Sequence, residues 1–140
     1  MDCVFCKIIK GEIPAKKIYE DNKVIAILDI NPLVDGHVLV IPKKHFKNIY
    51  EIDNEELEEV FERAKKIAKD ITKKLNSIGV TFQINYGYNL VDHFHIHLLP
   101  DFETLKKEKD LDRNDAKKYL EEIVPFYADN KINDVDTMLD

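Results

Sequence analysis

The 140-residue chain lacks the features that mark membrane-spanning, secreted and nucleic-acid-binding proteins. Its longest clear apolar run, 24–28, is far shorter than the roughly 18 residues that cross a bilayer. The first residues, Met1-Asp2-Cys3, show no signal-peptide pattern, so we expect a cytoplasmic protein without membrane contact. A net charge of −6 provides no basic field for phosphate backbones, which argues against nucleic acid polymers as partners.

Cysteine is also scarce: the chain has two, in the sequence Cys3-Val4-Phe5-Cys6. In a reducing cytosol this spacing indicates metal or redox chemistry more than a structural disulfide. A structural zinc site needs four ligands, so the pair alone is weak evidence for a metal.

The periodicity of apolar residues predicts one α+β domain over 1–140. A long helix is expected from its N-cap Asp53, with Glu56 in a capping box, to a stop at Gly79. The element order predicts a mostly antiparallel, meander-like sheet, with strands expected at 17–20, 24–29, 38–42, 81–86 and 93–99. A charge-dense helix is expected in 103–122, followed by an acidic end at 128–140.

The most informative stretch is His93-Phe94-His95-Ile96-His97-Leu98-Leu99, which holds three of the five histidines. Alternate side chains of a strand share a face, so three imidazoles would line one side and apolar residues the other. Imidazole titrates near neutral pH and can move protons, attack electrophiles or bind metal. The row would span about 13 Å, too far for one ion to hold all three rings, so His95 in the middle is the best-placed working group. A strand of solvent-facing histidines without function is the alternative.

Three stretches resemble the histidine triad (HIT) family. The histidine row fits the family's signature of histidines alternating with apolar residues. The segment 5–15, Phe5-Cys6-Lys7-Ile8-Ile9-Lys10-Gly11-Glu12-Ile13-Pro14-Ala15, is similar to its N-terminal segment, and 28–45 is similar to its central hairpin. The resemblance covers a core of 3–100 in the family's order, and 101–140 is an extension that it does not explain.

The resemblance implies a HIT-like fold: a five-stranded, mostly antiparallel sheet with one long helix and shorter helices. It also implies a homodimer that forms a ten-stranded sheet. The implied activity is hydrolysis or nucleotidyl transfer at the α-phosphorus of a nucleotide conjugate. By match to the motif, His95 would be the nucleophile, and His97 would lie near the leaving group, where a proton donor helps.

The same resemblance implies a purine nucleotide or nucleotide conjugate as ligand. Asp29 would accept hydrogen bonds from both ribose hydroxyls, although it also suits a turn before Asn31-Pro32. Asn85 would donate to a phosphate oxygen. The walls of the base pocket would be apolar residues that could equally belong to the core: Phe5, Ile8, Ile13, Ile27 and Ile30.

One segment departs from the family pattern. Many members carry a Gly-Gly-Gln stretch that holds the α-phosphate, whereas the segment from Asn85 to His93 is about three residues shorter and lacks a Gly-Gln pair. Asn89 and nearby amides are the candidates to replace it. We therefore expect low activity or an unusual substrate.

In zinc-bearing relatives the partners of the two cysteines match His45 and His93. A structural zinc held by Cys3, Cys6, His45 and His93 is expected, with no organic cofactor. His37 either orients the pocket or is an ordinary hairpin residue.

The sequence leaves three functional hypotheses open. The first is an enzyme that hydrolyses a nucleoside phosphoramidate or a related conjugate, with dinucleoside polyphosphate cleavage as a variant. The second is a non-catalytic module that binds AMP or another nucleotide. The third is a metalloenzyme in which His93 and His95 chelate a catalytic zinc.

Overall fold

The computed structural model describes residues 3–87 and 91–102. Across these residues the predicted α+β architecture of five strands and a long helix is confirmed. The elements, in chain order, are α1 (Val4–Ile9), β1 (Lys17–Glu20), β2 (Val24–Leu28), β3 (Val38–Pro42), α2 (Asn54–Leu75), β4 (Gly79–Gln83) and β5 (Ile96–Asp101). The helix expected in 103–122 and the acidic end at 128–140 lie outside the described residues.

The five strands form one sheet in the order β1-β2-β3-β5-β4. All four neighbouring pairs are antiparallel. The order differs from the predicted meander, because β5 lies between β3 and β4. Helix α2 carries the chain away from β3 and returns it at the sheet edge, which leaves the intervening position for the histidine segment.

Helix α2 begins as predicted: the side chain of Asp53 accepts a hydrogen bond from the backbone N–H of Glu56 at 2.8 Å. The prediction that Gly79 stops the helix was wrong. The helix ends at Leu75, and Asn76 takes the left-handed conformation with φ of 54°. Asparagine tolerates this conformation better than most residues, so it can replace glycine after a helix. Gly79 instead begins β4, two residues earlier than the strand was expected.

The two faces of the sheet are covered by different helices. On one face, inward residues of β3 and β5 pack with the buried stripe of α2, in a core that includes Val40, Ile96, Leu98, Val60 and Ile67. On the other face, residues of α1 pack against β2 and β3, in a second core formed by Cys3, Phe5, Ile8, Ile25, Ile27, Leu39 and Ile41. His97 pairs with Leu39 across β3 and β5, so it shares the face covered by α1.

The histidine segment enters the sheet later than predicted, because β5 begins only at Ile96. Just before it, the backbone N–H of Phe94 donates to the carbonyl of Phe46 at 2.7 Å instead of joining a strand ladder. The predicted alternation is confirmed around this point. Phe94 and Ile96 are buried in the core beneath α2, whereas His95 and His97 lie on the other face.

The predicted turn at Asp21-Asn22 is confirmed. The carboxylate of Asp21 accepts from the backbone N–H groups of Lys23 and Val24 at 2.7 and 2.8 Å. In the described part of the chain, neither helix combines the length and apolar character that a bilayer crossing requires.

Candidate functional site

Two rings of the histidine row lie side by side at the start of β5. The ring centroids of His95 and His97 are 4.8 Å apart. Phe5 of α1 sits edge-on against His95, with centroids 5.0 Å apart. The predicted pair of catalytic histidines is thus brought together under the first turn of α1.

The protonation of His95 follows from one contact. Its Nδ1 lies 2.7 Å from the backbone carbonyl of His93. A carbonyl can only accept, so Nδ1 carries the proton, and in the neutral ring Nε2 keeps a free lone pair. Burial lowers the pKa of His95 and favours the neutral ring. This ring is therefore ready to act as a nucleophile at neutral pH.

His97 is held by a second buried histidine. Nε2 of His37 lies 2.9 Å from Nδ1 of His97, and the backbone N–H of Leu33 donates to Nδ1 of His37 at 3.2 Å. Since a backbone N–H can only donate, His37 carries its proton on Nε2 and donates it to Nδ1 of His97. In a neutral ring the proton of His97 is then on Nε2. Burial, with the nearby rings of His95 and His37, lowers the pKa of His97 to about 4.

Asp29 performs the turn role that its sequence context suggests and also reaches the site. One carboxylate oxygen accepts from the backbone N–H of Asn31 at 2.8 Å. The other lies 3.5 Å from Nδ1 of His37. Burial lowers the pKa of His37, so this contact joins a carboxylate to a neutral ring. The carboxylate is half-buried beside the histidines, within reach of a ligand bound there.

Asn85 lies on the opposite side of His97. Its side-chain nitrogen is 3.4 Å from Nε2 of His97, and its side-chain oxygen accepts from Gln83 at 3.1 Å. Gln83 is also the cross-strand partner of His97. Asn89 lies outside the described residues.

Four of the five apolar residues assigned to the base pocket gather beneath α1. Phe5, Ile8 and Ile27 are buried in the second core, and Ile13 packs against it half-buried. Ile30 is different, with 71% of its surface exposed. Because Phe5, Ile8 and Ile27 are buried in this core, a role in packing explains their positions as well as a role in binding a base does.

The four predicted zinc ligands converge at the other end of the row. Nδ1 of His45 and Nδ1 of His93 are 3.1 Å apart. Sγ of Cys3 lies 3.4 Å from Nδ1 of His93, and Sγ of Cys6 lies 3.3 Å from Nδ1 of His45 and 3.5 Å from Nδ1 of His93. In a tetrahedral zinc site with standard bond lengths, such edges are about 3.4 Å between nitrogens and about 3.6 Å between nitrogen and sulfur. The donor geometry fits zinc.

The protonation of His93 supports the same conclusion. Its Nε2 lies 2.8 Å from the backbone carbonyl of Pro42 and must donate to it. Burial lowers the pKa of His93 to about 4, so Nδ1 is unprotonated and presents a lone pair to His45 and the cysteines. Burial and the neighbouring Cys3 raise the pKa of the Cys6 thiol. A cation would hold the thiolates and the lone pair together.

His93 links the four candidate metal ligands to His95. Its ring belongs to the cluster of cysteines and histidines, and its carbonyl accepts from His95. His95 belongs to neither of the two groups of potential metal ligands found among the described residues, the second being Asp29, His37 and His97. The structure therefore gives no support to a catalytic zinc chelated by His93 and His95.

Sequence reasoning undervalued His37 and missed Gln83 and Leu33. His37 follows a glycine turn at the start of β3, which gave no reason to prefer a site role over a hairpin role. Gln83 lies two residues before Asn85, and strand periodicity could have placed both on one face. The contact of Leu33 with His37 is made by a backbone N–H, for which no sequence signal exists.

Known proteins that resemble this chain belong to one family. The sequence model of the HIT domain family matches residues 10–104. "Protein hit" of Bacillus subtilis is 42% identical over 104 residues, which cover 72% of each chain. An adenosine 5'-monophosphoramidase of Candida albicans is 39% identical over 105 residues, which cover 70% of this chain and 69% of that protein.

A solved structure of a zinc-bound histidine triad family protein from Mycobacterium smegmatis is 32% identical, with a TM-score of 0.73. The match covers 93% of this chain and 98% of that one. The histidine row, the sheet order and these matches have one explanation: the chain is a member of the histidine triad (HIT) family.

Proposed function

We propose that the protein hydrolyses a nucleoside phosphoramidate or a related nucleotide conjugate at its α-phosphorus, through a nucleotidyl-His95 intermediate. The observation that carries the proposal is the hydrogen bond from Nδ1 of His95 to the carbonyl of His93, which leaves Nε2 as a lone-pair nucleophile. A neutral imidazole attacks phosphorus readily and also leaves readily from it. The relative in Candida albicans named adenosine 5'-monophosphoramidase supports this class of substrate.

In the first step, Nε2 of His95 forms a bond to phosphorus, and the bond from phosphorus to the leaving nitrogen breaks. The departing amine needs a proton, and His97 is the neighbouring group with a hydrogen on Nε2. The negative charge of a bound phosphoryl group raises the pKa of His97 and favours its imidazolium form. That form delivers a proton to the leaving nitrogen.

In the second step, water attacks phosphorus and the bond to His95 breaks. The products are a nucleoside 5'-monophosphate and a neutral His95, and the proton lost by water returns to His97. The hydrogen bond from His37 orients His97 while the His97 ring is neutral. One nucleophile and one proton carrier therefore serve both half-reactions.

For the nucleotide itself we propose Asp29 as the ribose acceptor and Asn85 as a donor to a phosphate oxygen. The base would rest against the apolar surface of α1 and β2, formed by Phe5, Ile8, Ile13, Ile27 and Ile30. Asn89 remains the candidate to complete the phosphate contacts. Apolar walls of this kind stack a purine without selecting which one.

The zinc cluster has a structural role in this proposal. Cys3, Cys6, His45 and His93 would close a tetrahedral site, which leaves no open position for substrate. Zinc would supply a fixed anchor for the backbone of His93, whose carbonyl orients His95. The zinc-bound relative from Mycobacterium smegmatis supports this assignment.

Two other functions use the same site. Cleavage of dinucleoside polyphosphates would follow the same attack with a phosphate leaving group. A non-catalytic AMP-binding module would explain the short segment between Asn85 and His93, which lacks a Gly-Gln pair. We favour hydrolysis because the tautomer of His95 suits attack on phosphorus.

The experiment is turnover of adenosine 5'-phosphoramidate by the wild type and by His95→Ala, with AMP affinity measured on both. We expect turnover by the wild type and a loss of about 10⁴-fold or more in the variant, with AMP affinity retained. Glu12→Gln, an exposed change, is the control and keeps wild-type turnover. A wild type that binds AMP and turns over neither phosphoramidates nor polyphosphates would contradict the proposal.

A further inference from the structure

A pocket of about 290 Å³ continues the histidine row beyond His97. Its walls come from the loop before β3, from β4 and from the end of β5. The lining residues are Leu33, Val34, Thr81, Leu99, Pro100, Asp101 and Phe102.

The pocket lies on the same face of the sheet as His95 and His97, and one of its lining residues, Leu33, also contacts the histidines. Leu99 follows His97 by one strand repeat, and Thr81 pairs with Leu99 across β4 and β5 as Gln83 pairs with His97. The backbone N–H of Leu33 donates to His37, and His37 in turn contacts His97. The strand register and Leu33 therefore place the pocket next to His97, on the same face of the sheet.

The chemistry of the lining defines what the pocket can hold. Five of its seven residues are apolar, which suits a hydrocarbon stem. The one carboxylate is Asp101, and Thr81 donates to its two oxygens at 3.0 and 3.2 Å. A fixed carboxylate at the end of an apolar wall suits a cationic group on an apolar stem.

We propose that this pocket is the leaving-group subsite, and that the preferred substrate carries an amine with an apolar stem and a cationic end. The inference rests on the proposed function and adds to it the class of leaving group. When the bond between phosphorus and nitrogen breaks, the stem stays against Leu33 and Leu99 while the cationic end pairs with Asp101. Asp101 lies four residues beyond His97, about 13 Å along the strand, so a long stem is needed.

The test compares three adenosine 5'-phosphoramidates, whose leaving groups are ammonia, hexylamine and singly linked 1,6-diaminohexane. For the wild type we expect kcat/KM to be about tenfold higher for the diamine compound than for the hexylamine compound. In Asp101→Asn, which keeps an acceptor for Thr81, this ratio should fall to about one. Glu51→Gln removes an exposed carboxylate elsewhere and should keep the wild-type ratio.

A second variant tests the apolar wall without reliance on Asp101. Leu33→Ala changes a side chain that is 56% exposed, so folding should tolerate it. We expect its kcat/KM for the hexylamine compound to fall about threefold relative to the ammonia compound. Equal kcat/KM for diamine and hexylamine in the wild type, or a preference that survives Asp101→Asn, would overturn the subsite. Turnover of none of the three compounds would instead contradict the proposed function, and the inference with it.

Discussion

At the scale of single residues, hydrogen-bond direction decides the chemistry. Three of the histidines contact backbone groups whose hydrogen-bond roles are fixed, and these contacts assign the tautomer of each ring. His93 and His95 each donate to a carbonyl, and His37 accepts from the N–H of Leu33. The three rings of the row therefore differ in what they present. His93 faces the candidate metal ligands, His95 presents a lone pair on Nε2, and His97 presents a hydrogen on Nε2.

Protonation of His97 should couple to stability. Its folded pKa is about 4, below the usual value near 6.5, so between these values the unfolded chain binds a proton that the folded chain excludes. Stability from this residue is therefore present above pH 6.5 and is lost as the pH falls toward 4. We expect the urea midpoint of the wild type to drop more between pH 7 and pH 5 than that of His97→Gln. Parallel changes in the two proteins would contradict this account.

At the scale of elements, the four candidate metal ligands bring the N-cap of α1 next to the segment before β5. Cys3 is the N-cap of α1 and Cys6 lies within that helix, whereas His45 follows β3 and His93 precedes β5. A bound ion would therefore tie α1 to two segments that already adjoin in the sheet, since β3 pairs with β5. The fold around His95 should depend on the metal as much as on the sheet.

We expect one zinc per chain in the purified protein, measured by elemental analysis. His45→Gln should lose the metal and lower the melting temperature by several degrees, because binding energy of a structural site is folding energy. Lys44→Gln, the neighbouring change outside the cluster, should keep both properties. Full stability of His45→Gln, or a wild type without zinc when purified without chelators, would refute the structural site.

Local sequence signals predicted the helices and strands better than they predicted how the strands pair in the sheet. The capping box at Asp53 and the alternation through the histidine row act between near neighbours, so both could be predicted from the sequence. The left-handed Asn76 could not, because Gly79 is an equally good local signal for the end of the helix. The strand order could not, because strand pairing depends on contacts between distant residues. Cys3 and His93 are 90 positions apart, and only the family resemblance linked them.

At the scale of the whole molecule, the edges of the sheet determine where two chains could join. The sheet has two edges, β1 and β4. β1 carries the charges Lys17 and Glu20, which discourage pairing between strands of different chains. β4, with the sequence GVTFQ, has no charge and no proline. A ten-stranded sheet built by two chains would therefore meet at β4.

Light scattering should give a mass of twice 16.4 kDa. Phe82→Lys places a charge on this edge, at a side chain that is 41% exposed, and should produce a monomer. Glu12→Gln changes the net charge by the same amount away from the edge and should remain a dimer. A wild type found only at 16.4 kDa would rule out the predicted homodimer.

The central claim is that His95 bonds covalently to the nucleotide, and trapping of this intermediate by an alkaline denaturing quench tests it most directly. A phosphoramidate labelled with ³²P at its phosphorus is mixed with excess enzyme and quenched over a series of short times. We predict label on a peptide that contains His95, rising and then decaying as labelled 5'-monophosphate appears, and no label on His95→Ala. Complete substrate turnover with no label on the protein at any time, together with an active His95→Ala, would contradict the account.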